Sequence, residues 1–542
     1  MHARPASGQP GEAGSDLTRG RSRPWLTVFA VLLPVGMLVA LLSGNDSFDE
    51  WWFLQVLARV ASGEHLYRDV FYGAAPLAVW LELPAVAVFG EHLWVTRGML
   101  ALIWATTGTC LWQLAADLRL GRASRWTMLV AFLALSPPIQ LGWGSPYAPL
   151  ANGLLLGSAL LMARYATDPN RTNLWTGACT LAGLALAAKQ NVGAYVLVAL
   201  TALFLLHAHR PAGQHVWQPA LRMLTGWAAG LGAFGITLLP VLLRGDLMPM
   251  LDYTVFNKPG YLRQGSIGYI ESLLRLIDSQ HGLELAMSLC LYSVPVLGGI
   301  AWAALLWWPG RPVQRAARPV RGVLVVMAAF WGVSMLSVWP RVDPAHVPTA
   351  VPLSLLGMWL WWHHRSTERP VWRNAWAAAV LLCLTLPLAY RLSLPLTLAR
   401  HGYGWGATPH LRWILTHTRS EQRQQAMANA LRDLSADGPV MVISNSAARY
   451  YLTGGFANPT RFDYPQSTTF GRHGQQEVID AIEAGYIPWV CLGMGRNSLL
   501  PTELVAHVRT HMQVVDRNNL PCRLYRWAGQ GQPTDQTATI AR

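Results

Sequence analysis

Apolar runs of 16 to 24 residues, broken by short polar segments, recur along the first 391 residues. They fall at 25–43, 93–116, 126–142, 148–165, 173–188, 191–207, 222–243, 285–306, 321–338, 347–362 and 374–391. Runs of that length are what an α-helix needs to cross the hydrocarbon of a bilayer, so the pattern predicts about eleven transmembrane helices. Residues 173–207 are read as a tight hairpin divided at Lys189-Gln190-Asn191, the alternative being one tilted span with a broken end. After 391 the apolar runs shorten to strand length, as in Val440-Met441-Val442-Ile443 and Trp489-Val490-Cys491-Leu492. They alternate with helical patterns at Gln475–Glu483 and Glu503–Met512, which predicts a soluble α/β domain over 392–542. Residues 1–24, rich in Gly, Pro and Arg, read as a disordered cytoplasmic tail, and the end from Gly529 reads as disordered too. No small-residue cleavage site follows the run 25–43, so it is a retained first span within a membrane domain of 25–391.

Composition agrees with that division. Of 542 residues, 52% are hydrophobic and 13% charged, which does not suit two or three soluble domains. The net charge of +14 does not point to nucleic acid, because the arginines cluster in short loops between apolar runs. Arg119, Arg122 and Arg125, then Arg311, Arg315, Arg318 and Arg321, then Arg365, Arg369 and Arg373 lie on one side if the spans alternate. The positive-inside rule makes that side cytoplasmic. The N-terminus is then cytoplasmic, and 44–92, 244–284, 339–346 and everything after 391 lie outside, as in a multi-pass membrane protein. Tryptophans such as Trp51, Trp52, Trp361 and Trp362 are read as interface anchors. Cys110, Cys179, Cys290 and Cys383 sit in apolar runs as packing residues. Cys491 and Cys522 lie in the polar C-terminal region, where their pairing is open. No CxxC or Cys/His spacing predicts a metal site.

The chemistry concentrates at 44–92. Asn45-Asp46-Ser47-Phe48-Asp49-Glu50 follows the first span directly. Asp46, Asp49 and Glu50 stand at i, i+3 and i+4 and share one face if the segment is helical. They suit helix capping as well. Gly63-Glu64-His65-Leu66-Tyr67-Arg68-Asp69, then Pro76-Leu77 and Phe89-Gly90, complete the segment. In this order the stretch resembles the first outer loop of GT-C glycosyltransferases, in the branch of the protein O-mannosyltransferases and lipid A aminoarabinose transferases. The chain departs from that pattern at Ala74-Ala75-Pro76, where the family commonly has Lys-Pro-Pro.

The resemblance implies a GT-C-like membrane fold and transfer of a hexosyl or pentosyl group from a polyprenyl-phosphate donor, with inversion. The acceptor would be an envelope glycan, lipid or protein side chain. Such a donor carries a good leaving group, so the enzyme needs a carboxylate for the acceptor proton and cations for the departing phosphate. Asp49 is the expected general base and Asp46 its substitute, while Glu50 orients the acceptor or tunes the base. Tyr67 and Asp69 are carried over as substrate-binding residues.

Only two of 42 basic residues are lysines, Lys189 and Lys258, and both fall in predicted outer segments. They are expected at the donor phosphate as compact point charges, with Arg263, Arg341 and Arg97 as further candidates. Asp343 and His346, which follow Arg341 at the outer end of a span, are expected at the substrate. Tyr450-Tyr451-Leu452-Thr453-Gly454 and Pro459-Thr460-Arg461-Phe462-Asp463 resemble outer-domain motifs of these enzymes, with turn chemistry as the alternative. No cofactor is implied, and a divalent ion is left open. Two competing readings are a transporter or flippase of polyprenyl-linked glycans, which calls for mid-span charges, and a non-catalytic envelope assembly protein.

Overall fold

The computed structural model describes residues 24–44, 47–138, 145–207, 217–257, 262, 265–307, 318–365, 370–493, 500–516, 520 and 522–529. Asp46, Lys258 and Arg263 therefore lie outside the described residues. Each predicted span corresponds to a helix. The first part of the chain runs α1 (Pro24–Leu41), α2 (Phe48–Ala61), α3 (Leu77–Phe89), α4 (Leu93–Asp117), α5 (Arg122–Leu135), α6 (Tyr147–Thr167), α7 (Thr172–Ala188), α8 (Gln190–His207), α9 (Trp217–Leu243) and the short α10 (Leu247–Leu251). Further on come Tyr269–Ser279, Gly282–Trp307, Arg318–Val338, Val351–Arg365 and Pro370–Arg400. Six helices among the described residues are long and apolar enough to cross a membrane. The chain is a multi-pass membrane protein.

The segment 173–207 forms two helices. Lys189 is extended, at φ −146° and ψ 108°, and separates α7 from α8. The two helices pack on one another, and a Cβ at Gly193 would lie 2.0 Å from the backbone nitrogen of Leu186. Only glycine permits so close a reversal. On its other side α7 meets α9, where a Cβ at Gly183 would come within 1.9 Å of the Gly230 carbonyl oxygen. Small residues let the two backbones touch, the usual device for joining helices in lipid.

Helix α2 is enclosed by the rest of the protein along most of its length. Its residues from Asp49 to Ala58 are all buried, and Trp51, Phe53 and Val56 share one apolar core with Met441, Ile443 and Phe462 of the C-terminal region. Trp51 and Trp52 are 2% and 6% exposed, so the interface-anchor expectation fails for both. The Arg449 guanidinium lies over the Trp51 ring at 4.9 Å. Tyr464 stacks on Trp52, with ring centroids 6.0 Å apart.

The C-terminal α/β domain holds a four-stranded mixed sheet in the order β3 (Val440–Ile443), β4 (Trp489–Gly493), β6 (Cys522–Arg526), β5 (Gln513–Val515). Strands β3 and β4 are parallel, and β6 runs antiparallel to both of its neighbours. Before the sheet, β1 (Tyr403–Trp405) and β2 (Leu415–His417) form an antiparallel pair. Cys491 on β4 and Cys522 on β6 are joined by a disulfide across 31 residues of sequence. Closing a loop of that length removes unfolded-state entropy worth roughly 2–4 kcal/mol. Replacing both cysteines by serine is therefore expected to lower the melting temperature of the protein and to make the C-terminal domain sensitive to limited proteolysis. Equal protease resistance in the double variant would show that the bond adds little.

Candidate active site

Helix α2 begins at a capping box. Ser47 Oγ accepts the Glu50 N–H at 3.1 Å, and Glu50 Oε2 accepts the Ser47 N–H at 3.0 Å. The box fixes the first turn, and successive helical residues diverge by about 100°. Asp49 and Glu50 consequently face different surroundings, which corrects the shared-face expectation for these two. Glu50 turns inward to Arg97 of α4: Arg97 Nε donates to Oε1 at 2.7 Å and Nη2 to Oε2 at 3.0 Å. Arg97 Nη1 also donates to the Ala40 carbonyl at the end of α1. Glu50 is 1% exposed and Arg97 0%. The pair thus ties α1, α2 and α4 together, and neither residue lines the cavity described next.

Asp49 does line it. A cavity of about 610 Å³ opens beside α2, bounded by Lys189, Arg341, His346 and, from the C-terminal domain, Asn445, Tyr464 and Gln466. Asp49 is only 9% exposed. Burial pushes its carboxyl up to about 7 against the pull of the Arg341 guanidinium, with Asp343 and Glu50 adding to the rise. A carboxylate that changes protonation near neutral pH is a group able to take and release protons.

Arg341 and His346 are oriented by one carboxylate. Asp343 Oδ2 pairs with Arg341 Nε at 2.7 Å and Oδ1 with His346 Nδ1 at 2.7 Å. Oδ1 also accepts the backbone N–H groups of Ala345 and His346. Burial raises the Asp343 carboxyl, but the His346 hydrogen bond and the charges of His346 and Arg341 outweigh it and hold it below the ordinary range. The backbone on either side of Arg341 is bonded to Ile267, through Ile267 N–H to Pro340 and Val342 N–H to Ile267. Asp343 itself does not line the cavity; it acts through Arg341 and His346. Lys189 reaches the cavity from the break between α7 and α8, with Gln190 and Asn191 beside it.

The remaining candidates from the first outer segment lie elsewhere. Tyr67 is fully buried at φ 77°, its hydroxyl donating to the Ala74 carbonyl at 2.8 Å. Asp69 Oδ2 accepts the His65 N–H at 2.8 Å, closing a turn. Both shape the loop, and neither is among the cavity-lining residues. Arg59 of α2 clamps that loop to the C-terminal domain: it pairs with Asp463 at 2.9 Å and Glu64 at 2.6 Å and donates to the carbonyls of Thr460 and Asp69. The motif at 459–463 is thus a docking element for α2. Its partner was invisible in sequence, because some 400 residues separate Arg59 from Asp463.

Sequence reasoning missed the wall formed by Asn445, Tyr464, Gln466, Thr468 and Thr469, as well as Tyr147 and Tyr253 on the helical side. Nothing in a linear reading ranks an isolated Gln or Tyr above its neighbours. By contrast, 44–92, 244–284, 339–346 and the C-terminal region, all placed outside by charge bias, meet at this one cavity.

No family model and no curated protein matches the sequence. The fold is nonetheless shared with solved membrane proteins. ArnT from Cupriavidus metallidurans, a lipid A aminoarabinose transferase, in its crystal structure bound to undecaprenyl phosphate, is similar at a TM-score of 0.56 and 13% identity. The match covers 93% of this chain and 98% of that one. The same enzyme in the apo state gives 0.53 and 13%, over 93% of this chain and 97% of that one.

Proposed function

We propose that the protein is a glycosyltransferase that moves a sugar from a polyprenyl-phosphate donor to an envelope acceptor at the outer face of a bacterial inner membrane, with inversion. The observation that carries this reading is Asp49, a buried carboxyl poised near neutrality in the same cavity as Lys189, Arg341 and His346. The acceptor hydroxyl oxygen bonds to the anomeric carbon as the bond from that carbon to the phosphate oxygen breaks. The electron pair leaves with the polyprenyl phosphate, and the acceptor proton passes to Asp49. Lys189 and Arg341 neutralise the departing phosphate. Asp343 positions Arg341 and His346, while Glu50 and Arg97 position Asp49 and take no part in phosphate binding. The disulfide of the C-terminal domain suits an oxidising compartment, and the undecaprenyl phosphate held by the similarly folded ArnT supports the donor class.

The test is lipid mass spectrometry on membranes from a strain lacking the protein. A polyprenyl-phosphate sugar should accumulate, and the wild-type gene should remove it while Asp49→Asn should not. Unchanged polyprenyl lipids would move the weight to transport or assembly.

A further inference from the structure

The two sides of the cavity differ in chemistry. The membrane-helix side presents Lys189, Arg341 and His346. The C-terminal domain presents Asn445, Tyr464, Gln466, Thr468 and Thr469, none of them charged. Among the described residues lining the cavity, Asp49 is the only carboxylate. A positively charged substituent in this space would find no lining carboxylate but Asp49, since Asp343 stands behind Arg341 and His346 and is paired with both.

The uncharged wall is preorganised. Thr469 Oγ1 lies 2.7 and 2.8 Å from the carbonyl oxygens of Tyr464 and Gln466 and shares its single hydrogen between them, and Gln466 N–H donates to the Tyr464 carbonyl at 2.8 Å. Asn257 Nδ2 donates to the Thr468 carbonyl at 2.8 Å and fastens the loop to the membrane domain. Gln466 Nε2 reaches Asn445 Oδ1 at 3.3 Å, setting the two carboxamides side by side. The Tyr464 ring is backed by Trp52. Carboxamides and a phenol offer both donors and acceptors without charge, which matches a row of hydroxyls.

We propose that Asn445, Tyr464 and Gln466 read the hydroxyls of an uncharged sugar, so that the glycosyl group transferred is a neutral pentose or hexose and not an amino sugar. This rests on the transferase reading above. It also separates this protein from the aminoarabinose transferase whose fold it shares.

The experiment uses the full chain in lipid nanodiscs and measures binding of undecaprenyl phosphate alone, of undecaprenyl phosphates carrying arabinofuranose or mannose, and of one carrying 4-amino-4-deoxyarabinose. Wild type is expected to bind a neutral glycolipid about tenfold or more tightly than the bare carrier, and the amino sugar no better than the carrier. Gln466→Ala and Asn445→Ala should each remove about a five- to tenfold part of the gain, as loss of a hydrogen bond does, with the bare carrier bound within twofold of wild type. Gln466→Glu should shift preference toward the amino sugar by at least tenfold, because it places a carboxylate where the ammonium would lie. Asn445 is half-buried, so its variant serves if a change at Gln466 prevents folding. Amino-sugar binding equal to or tighter than neutral-sugar binding would overturn the proposal, as would wall variants that weaken bare carrier and glycolipid alike. Failure of wild type to bind even the bare carrier would sink the transferase reading itself.

Discussion

Asp49→Asn is expected to fold like the wild type and to turn over roughly 10²–10⁴ times more slowly, the range for loss of a general base. The substitution keeps the shape of the side chain and the capping box, which uses Ser47 and Glu50. The wild-type pH profile supplies an independent check. Burial places the Asp49 carboxyl at about 7, and only the ionised form can take the acceptor proton. Turnover should therefore rise as pH increases through about 7 and fall away below it. The sign for stability is the reverse. A carboxyl raised by folding binds its proton more tightly in the native state, so stability is fully present at low pH and is lost as pH rises through 7. Asp49→Asn removes that loss and should melt no lower than wild type, and higher above pH 7. Turnover within threefold of wild type at every pH would remove Asp49 from the chemistry. Such a trade of stability for function belongs to sites held in an unfavourable state for a purpose.

The helices were legible because each requires a long apolar run and the chain supplies little else. The break at Lys189 was legible as well, since three polar residues interrupt an otherwise apolar stretch. The roles of neighbouring carboxylates were not. Asp49 and Glu50 are adjacent in sequence and chemically similar, and they part only because helix geometry turns one toward the cavity and the other toward Arg97. That arginine is one more phosphate candidate in sequence; nothing local reveals that it is fully buried against Glu50. Tyr67 and Asp69 show the same limit, for a motif that maintains a loop reads like one that binds a substrate. Arg59 and Asp463 meet only through the tertiary fold, and so do the two sides of the cavity. Residues whose role depends on a partner distant in sequence are the ones that a linear reading misassigns.

The Glu50–Arg97 pair offers the second large effect, and it separates positioning from chemistry. Both side chains are withdrawn from water. Removing one partner leaves the other as an uncompensated buried charge, which costs about 3–5 kcal/mol. Arg97→Met alone should accordingly lower the melting temperature steeply and abolish turnover, because α2 loses its tie to α1 and α4 and Asp49 shifts. Glu50→Gln alone strands Arg97 and should behave likewise, although the Gln oxygen can still close the capping box with Ser47. Changing both residues removes both charges at once, and replacing a buried ion pair by neutral groups is often close to neutral for stability. The double variant Glu50→Gln/Arg97→Met should therefore recover most of the lost melting temperature and keep turnover within about tenfold of wild type. No partner substitution should rescue Asp49→Asn. If the double variant instead folds normally but is as inactive as Asp49→Asn, Glu50 or Arg97 acts on the substrate, and the division of labour between the adjacent carboxylates would have to be redrawn.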